Sequence, residues 1–156
     1  MEKATFAAGC FWGVQLDLDK VEGVRSTVVG YCGGDLENPG YEQVCTGATG
    51  HAEAVEIIFD PGVVTFEELL DIFWRFHNPT TPDRQGPDYG SQYRSAIFYH
   101  SDQQKQAAEK SRALCDASDL WADPVVTEIT PAGQFWPAED YHQKYLEKRN
   151  IKISCH

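Results

Sequence analysis

The sequence predicts an α+β fold, a two-layer sandwich with a ferredoxin-like, split β-α-β core and long active-site loops. Three observations predict it. Alternating or β-branched segments and amphipathic segments follow one another as β-α-β-β-α-β and then α-β-α. Two long loops, 35–50 and 80–90, interrupt that order and are rich in glycine, proline and threonine. The chain has 156 residues, 42% hydrophobic and 12% aromatic, enough to bury one core without disulfide or metal support. One domain over 1–156 is expected, with a mobile C-terminal tail over about 149–156.

The elements follow in order. Ala4 to Ala8 reads as a short strand, and Trp12 to Val21 as a short amphipathic helix. Val24 to Tyr31 is rich in β-branched residues and ends in Cys32-Gly33-Gly34, so it reads as a second strand. Glu53 to Phe59 is a third, closed by Asp60-Pro61-Gly62. Thr65-Phe66-Glu67-Glu68 matches a capping box, and Phe66, Leu69, Leu70, Phe73 and Phe76 keep helical spacing until Pro79. Arg94 to His100 alternates as a fourth strand, and Ser101 caps a helix through about Ala117. Val125 to Ile129 is a fifth strand, and Pro137 introduces a last helix over 138–149.

Charge and cysteine use narrow the function. A net charge of −11 disfavours nucleic acid and anionic membranes, which need a basic surface. Five cysteines without a CxxC pair indicate free or transiently paired thiols in a reducing compartment, so a cytoplasmic location is expected. No apolar run approaches a transmembrane span. Ala7-Ala8-Gly9-Cys10 has the look of a lipid-acylation site, but the nine residues before the cysteine hold no apolar signal core.

Cys10 stands in Gly9-Cys10-Phe11-Trp12-Gly13, between a strand and a helix start. Free N–H groups at a helix N-terminus stabilise a thiolate and lower its pKa, and the flanking glycines permit a tight turn. A buried, inert cysteine between two core aromatics remains the alternative. Glu53 shares a strand face with Val55 and Ile57, where a carboxyl must be paired or protonated, and a protonated one is a general acid. An outward-facing Glu53 is the other reading. Tyr41 and Tyr93 stand where loops enter structure and can donate hydrogen bonds into a cleft; Asp88 is a loop acid or a turn former. The five histidines lack zinc-ligand spacing, and His142 reads as a structural hydrogen-bonding residue. Cys155, on the tail, is placed to meet an oxidised partner.

GCFWG, GYCGG, NPGYEQVCTGATGHAEAVEIIFDP, RQGPDYGSQYRSAIF and AEDYHQKYL occur in that order between Gly9 and Leu146. Together they strongly resemble methionine sulfoxide reductase A. The resemblance implies Cys10 as nucleophile, Glu53 as acid, and Tyr41 and Tyr93 as donors to the sulfoxide oxygen. It implies Asp88 as an acid linked to them through solvent, and Phe11 and Trp12 as walls for the substrate's S-methyl group. It further implies a plait-type α+β core, the S epimer as substrate, thioredoxin as reductant, and no metal or organic cofactor. A monomer acting on free or protein-bound methionine sulfoxide is expected.

The tail departs from the pattern. Many relatives carry a segment resembling Asn-Pro-x-Gly-Tyr-Cys, whereas this chain reads from Lys148 to Cys155 without glycine. Cys155 is taken as the resolving cysteine, Cys32 and Cys45 follow, and Cys115 comes last. Two rival functions remain: a cysteine hydrolase using Cys10 with His51, and a non-catalytic module binding oxidised methionine peptides.

Overall fold

In the computed structural model, which describes residues 1–151, a six-stranded mixed sheet carries the molecule. Strands β1 (Glu2–Ala8), β2 (Val24–Cys32), β3 (Ala52–Phe59) and β6 (Ser95–Tyr99) lie in the order β6-β1-β3-β2, and every neighbouring pair is antiparallel. That is the split β-α-β arrangement: helix α1 (Phe11–Asp19) carries the chain over β3 from β1 to β2, and α3 (Phe66–Phe76) returns it from β3 to β6. Helix α4 (Asp102–Ala117) then crosses to β7 (Glu128–Pro131), which pairs with β6 in parallel. β8 (Trp136–Pro137) closes the other edge against β2.

The two faces of the sheet differ because side chains alternate along each strand. Phe6, Val29, Val55, Ile57, Phe59 and Ile97 face the helices and pack with Val14, Leu18, Leu69, Leu70 and Phe73. Phe6 lies against Phe66 and Phe73, ring centroids 6.1 and 5.2 Å away. Truncating such a buried ring to alanine costs about 3–5 kcal/mol. The opposite face is lined by the small residues Ala7, Cys32, Ala52, Ala54 and Ala96 beside Phe98, and Ala132 and Phe135 pack against it.

Helix α3 starts as its sequence predicts. Thr65 Oγ1 accepts from the Glu68 N–H, and Glu68 Oε1 accepts from the Thr65 N–H. Elsewhere the structure corrects the expected pattern. The 35–50 loop contains a short helix, α2 (Tyr41–Cys45), and the 80–90 loop a small hairpin of β4 (Arg84–Gln85) and β5 (Asp88–Tyr89). The fifth strand begins three residues late: the Val125 N–H donates to Asp116 and the Val126 N–H to Pro79, which holds 125–126 off the sheet.

The expected helix over 138–149 is a 3-10 turn (Asp140–His142) and a short α5 (Tyr145–Lys148). Competing hydrogen bonds break it. The Gln143 side chain bonds the N–H and C=O of Val29, and the Lys144 N–H donates to Gln15 while its ammonium holds both oxygens of Asp19 at 2.7 Å. Lys144 adopts φ 57°, which ends any continuous helix there.

Candidate active site

The ends of β1 and the start of β3 meet because these strands are antiparallel neighbours, with Phe6 opposite Val55. Extending that register places Ala8 opposite Glu53, so the chain leaves β1 beside that carboxyl. Gly9 turns the chain with φ +94°, and a side chain there would put its Cβ 2.7 Å from Gln85. Cys10 follows as the N-cap of α1, partly exposed. Gly13 has no part in the turn; it lies buried inside the helix.

Glu53 is 1% exposed and on the helix-facing side with Val55 and Ile57, as its strand position predicts. Its Oε1 accepts from the Phe11 N–H at 3.1 Å. Its Oε2 is buried without a partner among the described residues. Burial raises its pKa to about 8, with Asp88 adding to the rise and the Phe11 N–H opposing it. At neutral pH this carboxyl is largely protonated, which is the form a general acid requires.

The expected lowering of the Cys10 pKa is overturned. Burial, then the negative charge of Glu53, raises it to about 12, with Asp88 adding to the rise. The N–H groups of Trp12 and Gly13 favour the thiolate, as the helix start suggested, but they are outweighed and form no cap hydrogen bond. The resting group is a thiol.

Tyr41 opens α2 and Tyr93 ends a 3-10 turn over Ser91–Tyr93. Both titrate far above the ordinary phenol range, chiefly through burial and further through the charge of Glu53, so both stay donors. Asp88, on β5, acts electrostatically on Cys10, Glu53 and Tyr93. The six side chains proposed around Cys10 do not behave alike. Trp12 is half-buried, its ring stacked on Tyr145 at 3.7 Å, whereas Phe11 is 1% exposed and packs between Tyr31 and His142. Trp12 keeps part of its surface exposed, whereas Phe11 is closed inside the core.

Three residues join this site that the sequence does not place there, Glu139, His142 and Arg94, and Cys45, a second choice for the resolving thiol, lies beside them. Cys45 is exposed and its thiol is hydrogen-bonded to the Tyr41 hydroxyl. Glu139 accepts from the Tyr31 hydroxyl at 2.9 Å and from the Tyr41 N–H at 3.2 Å. His142 accepts the Trp12 indole N–H on Nδ1 at 3.0 Å. Arg94 donates to Ser91 O, Gly50 O and Glu128, tying the Tyr93 turn to the loop that leads into Glu53.

Cys32 is buried on the far face of the sheet among Ala7, Ala54 and Phe98, away from this cluster. Cys155 lies outside the described residues. His51 is no partner for Cys10: its Nδ1 accepts the Gly34 N–H and its Nε2–H donates to Leu36 O. Both nitrogens are spent on a loop, which removes the base that a hydrolase would need.

A family model of peptide methionine sulfoxide reductase matches residues 2–156. The chain belongs to that family. It is an oxidoreductase whose reaction is the reduction of methionine sulfoxide. A curated reductase of Methanothermobacter thermautotrophicus is 63% identical over 155 residues, 99% of this chain and 91% of that protein. Reduced Mxr1 of Saccharomyces cerevisiae superposes with a TM-score of 0.92 at 36% identity, covering 99% of this chain and 88% of Mxr1. Mxr1 in complex with Trx2 matches at a TM-score of 0.66 and 28% identity, over 92% of this chain and 84% of Mxr1. No helix of the described reductase is long and apolar enough to cross a membrane.

Proposed function

We propose that this reductase acts on methionine S-sulfoxide, free or in oxidised proteins, with Cys10 as nucleophile and Glu53 as proton donor. The observation that carries it is the buried carboxyl of Glu53, hydrogen-bonded to the residue that follows Cys10 and with Oε2 unpartnered among the described residues; burial raises its pKa to about 8. Trp12, backed by Phe11, receives the S-methyl group, and Tyr41 and Tyr93 donate to the sulfoxide oxygen. Asp88 holds negative charge nearby, which favours the protonated carboxyl.

The reaction balances within the site. Glu53 gives its proton to the sulfoxide oxygen as Cys10 Sγ bonds the sulfoxide sulfur. The thiol proton of Cys10 passes to the vacated carboxylate. The resulting hydroxyl transfers to Cys10 and methionine leaves as the sulfide. Sulfur of the substrate is reduced by two electrons, and Cys10 is oxidised to a sulfenic acid. A second thiol then displaces water to form a disulfide. Cys155 is that resolving thiol in this reading, with Cys45 next because it borders Tyr41. Thioredoxin regenerates the dithiol, a reading supported by the Trx2 complex of Mxr1. The chain acts as one monomeric domain of the cytoplasm and needs no metal or organic cofactor.

A single turnover without reductant tests this. Excess S-sulfoxide should release one methionine per chain and consume two thiols, and Cys10→Ser should release none. Cys155→Ser should consume one thiol. Two lost in Cys155→Ser but one in Cys45→Ser would move resolution to Cys45. Folded wild-type protein that releases no methionine would overturn the reading, and unchanged peptide binding by Cys10→Ser would then favour a binding module.

A further inference from the structure

His142 is 1% exposed and enclosed by four aromatic rings: Tyr141 at 4.1 Å, Tyr41 at 4.6 Å, Phe11 at 5.2 Å and Trp12 at 5.7 Å between centroids. A phenylalanine or leucine would fill such a place with no polar atom to satisfy. Histidine leaves Nε2 buried without a partner among the described residues, which is unfavourable. Its Nδ1 is used: it accepts the indole N–H of Trp12 at 3.0 Å. Because Trp12 Nε1 can only donate, Nδ1 must be unprotonated, and the neutral ring carries its hydrogen on Nε2.

Trp12 is held from its other side as well. Its ring lies nearly parallel to Tyr145, 5° between planes at 3.7 Å, and the Arg149 guanidinium covers Tyr145 at 3.6 Å. Stacking fixes the plane of the indole but allows it to slide and turn within that plane. One directional hydrogen bond at the indole edge removes that freedom.

We propose that His142 is a positioning residue for substrate recognition: its unprotonated Nδ1 fixes the in-plane orientation of Trp12 and so sets the wall that receives the S-methyl group. This rests on the proposed role of Trp12. His142 touches no reacting atom and acts through the indole. The titratable groups facing its ring are Glu139 and Tyr141 from its own segment and Tyr41 from α2; α1 faces it with Phe11 and Trp12. Glu139 is already committed to Tyr31 and Tyr41. Burial disfavours the cation, and Glu139 only partly opposes that. Acid that protonates Nδ1 sets two donors against each other and releases the indole.

The test measures binding of N-acetyl-methionine-S-sulfoxide methylamide in a Cys10→Ser background, together with steady-state kinetics in the active protein. His142→Phe keeps the ring packing and lacks the acceptor; it should weaken binding about 3- to 10-fold, the size of a lost neutral hydrogen bond, with kcat within about 2-fold. His142→Gln supplies an acceptor oxygen and should recover most of the affinity. Wild-type binding should weaken as pH falls, and His142→Gln binding should not. In a Trp12→Phe background, His142→Phe should add no further loss. Wild-type affinity in His142→Phe, no recovery in His142→Gln, or an undiminished loss in the Trp12→Phe background would each overturn the proposal. If His142→Phe does not fold, the pH profile of His142→Gln decides alone. Failure of methionine release by the wild-type protein is read separately, because binding is measured without turnover.

Discussion

The Phe11 backbone N–H donates to Glu53 Oε1 at 3.1 Å, which joins the first residue of α1 to a carboxyl on β3. One oxygen of Glu53 is thereby fixed, and the other is buried without a partner among the described residues. Cys10 immediately precedes Phe11, so the same bond sets Cys10 and Glu53, the proposed nucleophile and acid, relative to each other.

Glu53→Gln keeps the hydrogen bond to Phe11 and removes the proton. Single-turnover methionine release should fall about 10²- to 10⁴-fold, the usual contribution of a placed general acid. In the wild-type protein, release should decline as pH rises through about 8, where Glu53 loses its proton. That alkaline limb should be absent in Glu53→Gln. An unchanged limb in the variant would assign it to another group.

The same group links stability to pH. The carboxyl pKa is raised from 4.5 in the unfolded chain to about 8 in the fold, so the folded state holds a proton that the unfolded chain releases. Its contribution is complete below about 4.5 and is lost as pH rises through 8. Urea unfolding at pH 5, 7 and 9 should show wild-type stability falling across this window by up to a few kcal/mol. Glu53→Gln should flatten the dependence and be the more stable protein at pH 9.

Cys10 should alkylate slowly. Iodoacetamide reacts with thiolate, and burial and Glu53 hold the thiol near 12. Removing the Glu53 charge should lower that value and accelerate labelling of the Cys10 peptide at pH 9, read by mass spectrometry. Equal or slower labelling in Glu53→Gln would show that its charge does not act on the sulfur.

Arg94 holds three acceptors on three segments with its planar fork. Arg94→Lys cannot reach them together. A loss of about 1–3 kcal/mol in urea unfolding is expected, with kcat falling because the Tyr93 turn and the loop before Glu53 are no longer tied. Wild-type kcat in a destabilised but folded Arg94→Lys protein would confine the clamp to a structural role.

Much of the architecture was legible because burial imposes periodicity. Phe66, Leu69, Leu70 and Phe73 announce α3, and alternation places Glu53 on the same face as Val55. The sheet order follows from the β-α-β-β-α-β succession. Short elements were not legible. α2 and β8 carry too few residues for a periodic signal, and the last helix fails because Gln143 and Lys144 bond to other segments. The link between Cys45 and Tyr41 is harder to read than Cys45 itself, which its loop position already marks as a candidate. Tyr41 and Cys45 are four residues apart, the spacing that shares a helix face, but only a recognised α2 makes that spacing meaningful. The raised pKa of Cys10 was beyond the sequence because it depends on burial and on charges from β3 and β5. A helix-start rule contains neither.

The register of β1 on β3 has a further consequence. Glu2 pairs with Phe59, and Val24 pairs with Phe59 from the other side, so the sheet end carrying Glu22–Gly23 and Asp60–Gly62 is remote from Cys10 and Glu53. Changes there bear on folding and leave the chemistry alone. That end is the place to graft an affinity handle or a fluorescent reporter, or to cut and rejoin the chain, while the opposite end continues to turn over substrate.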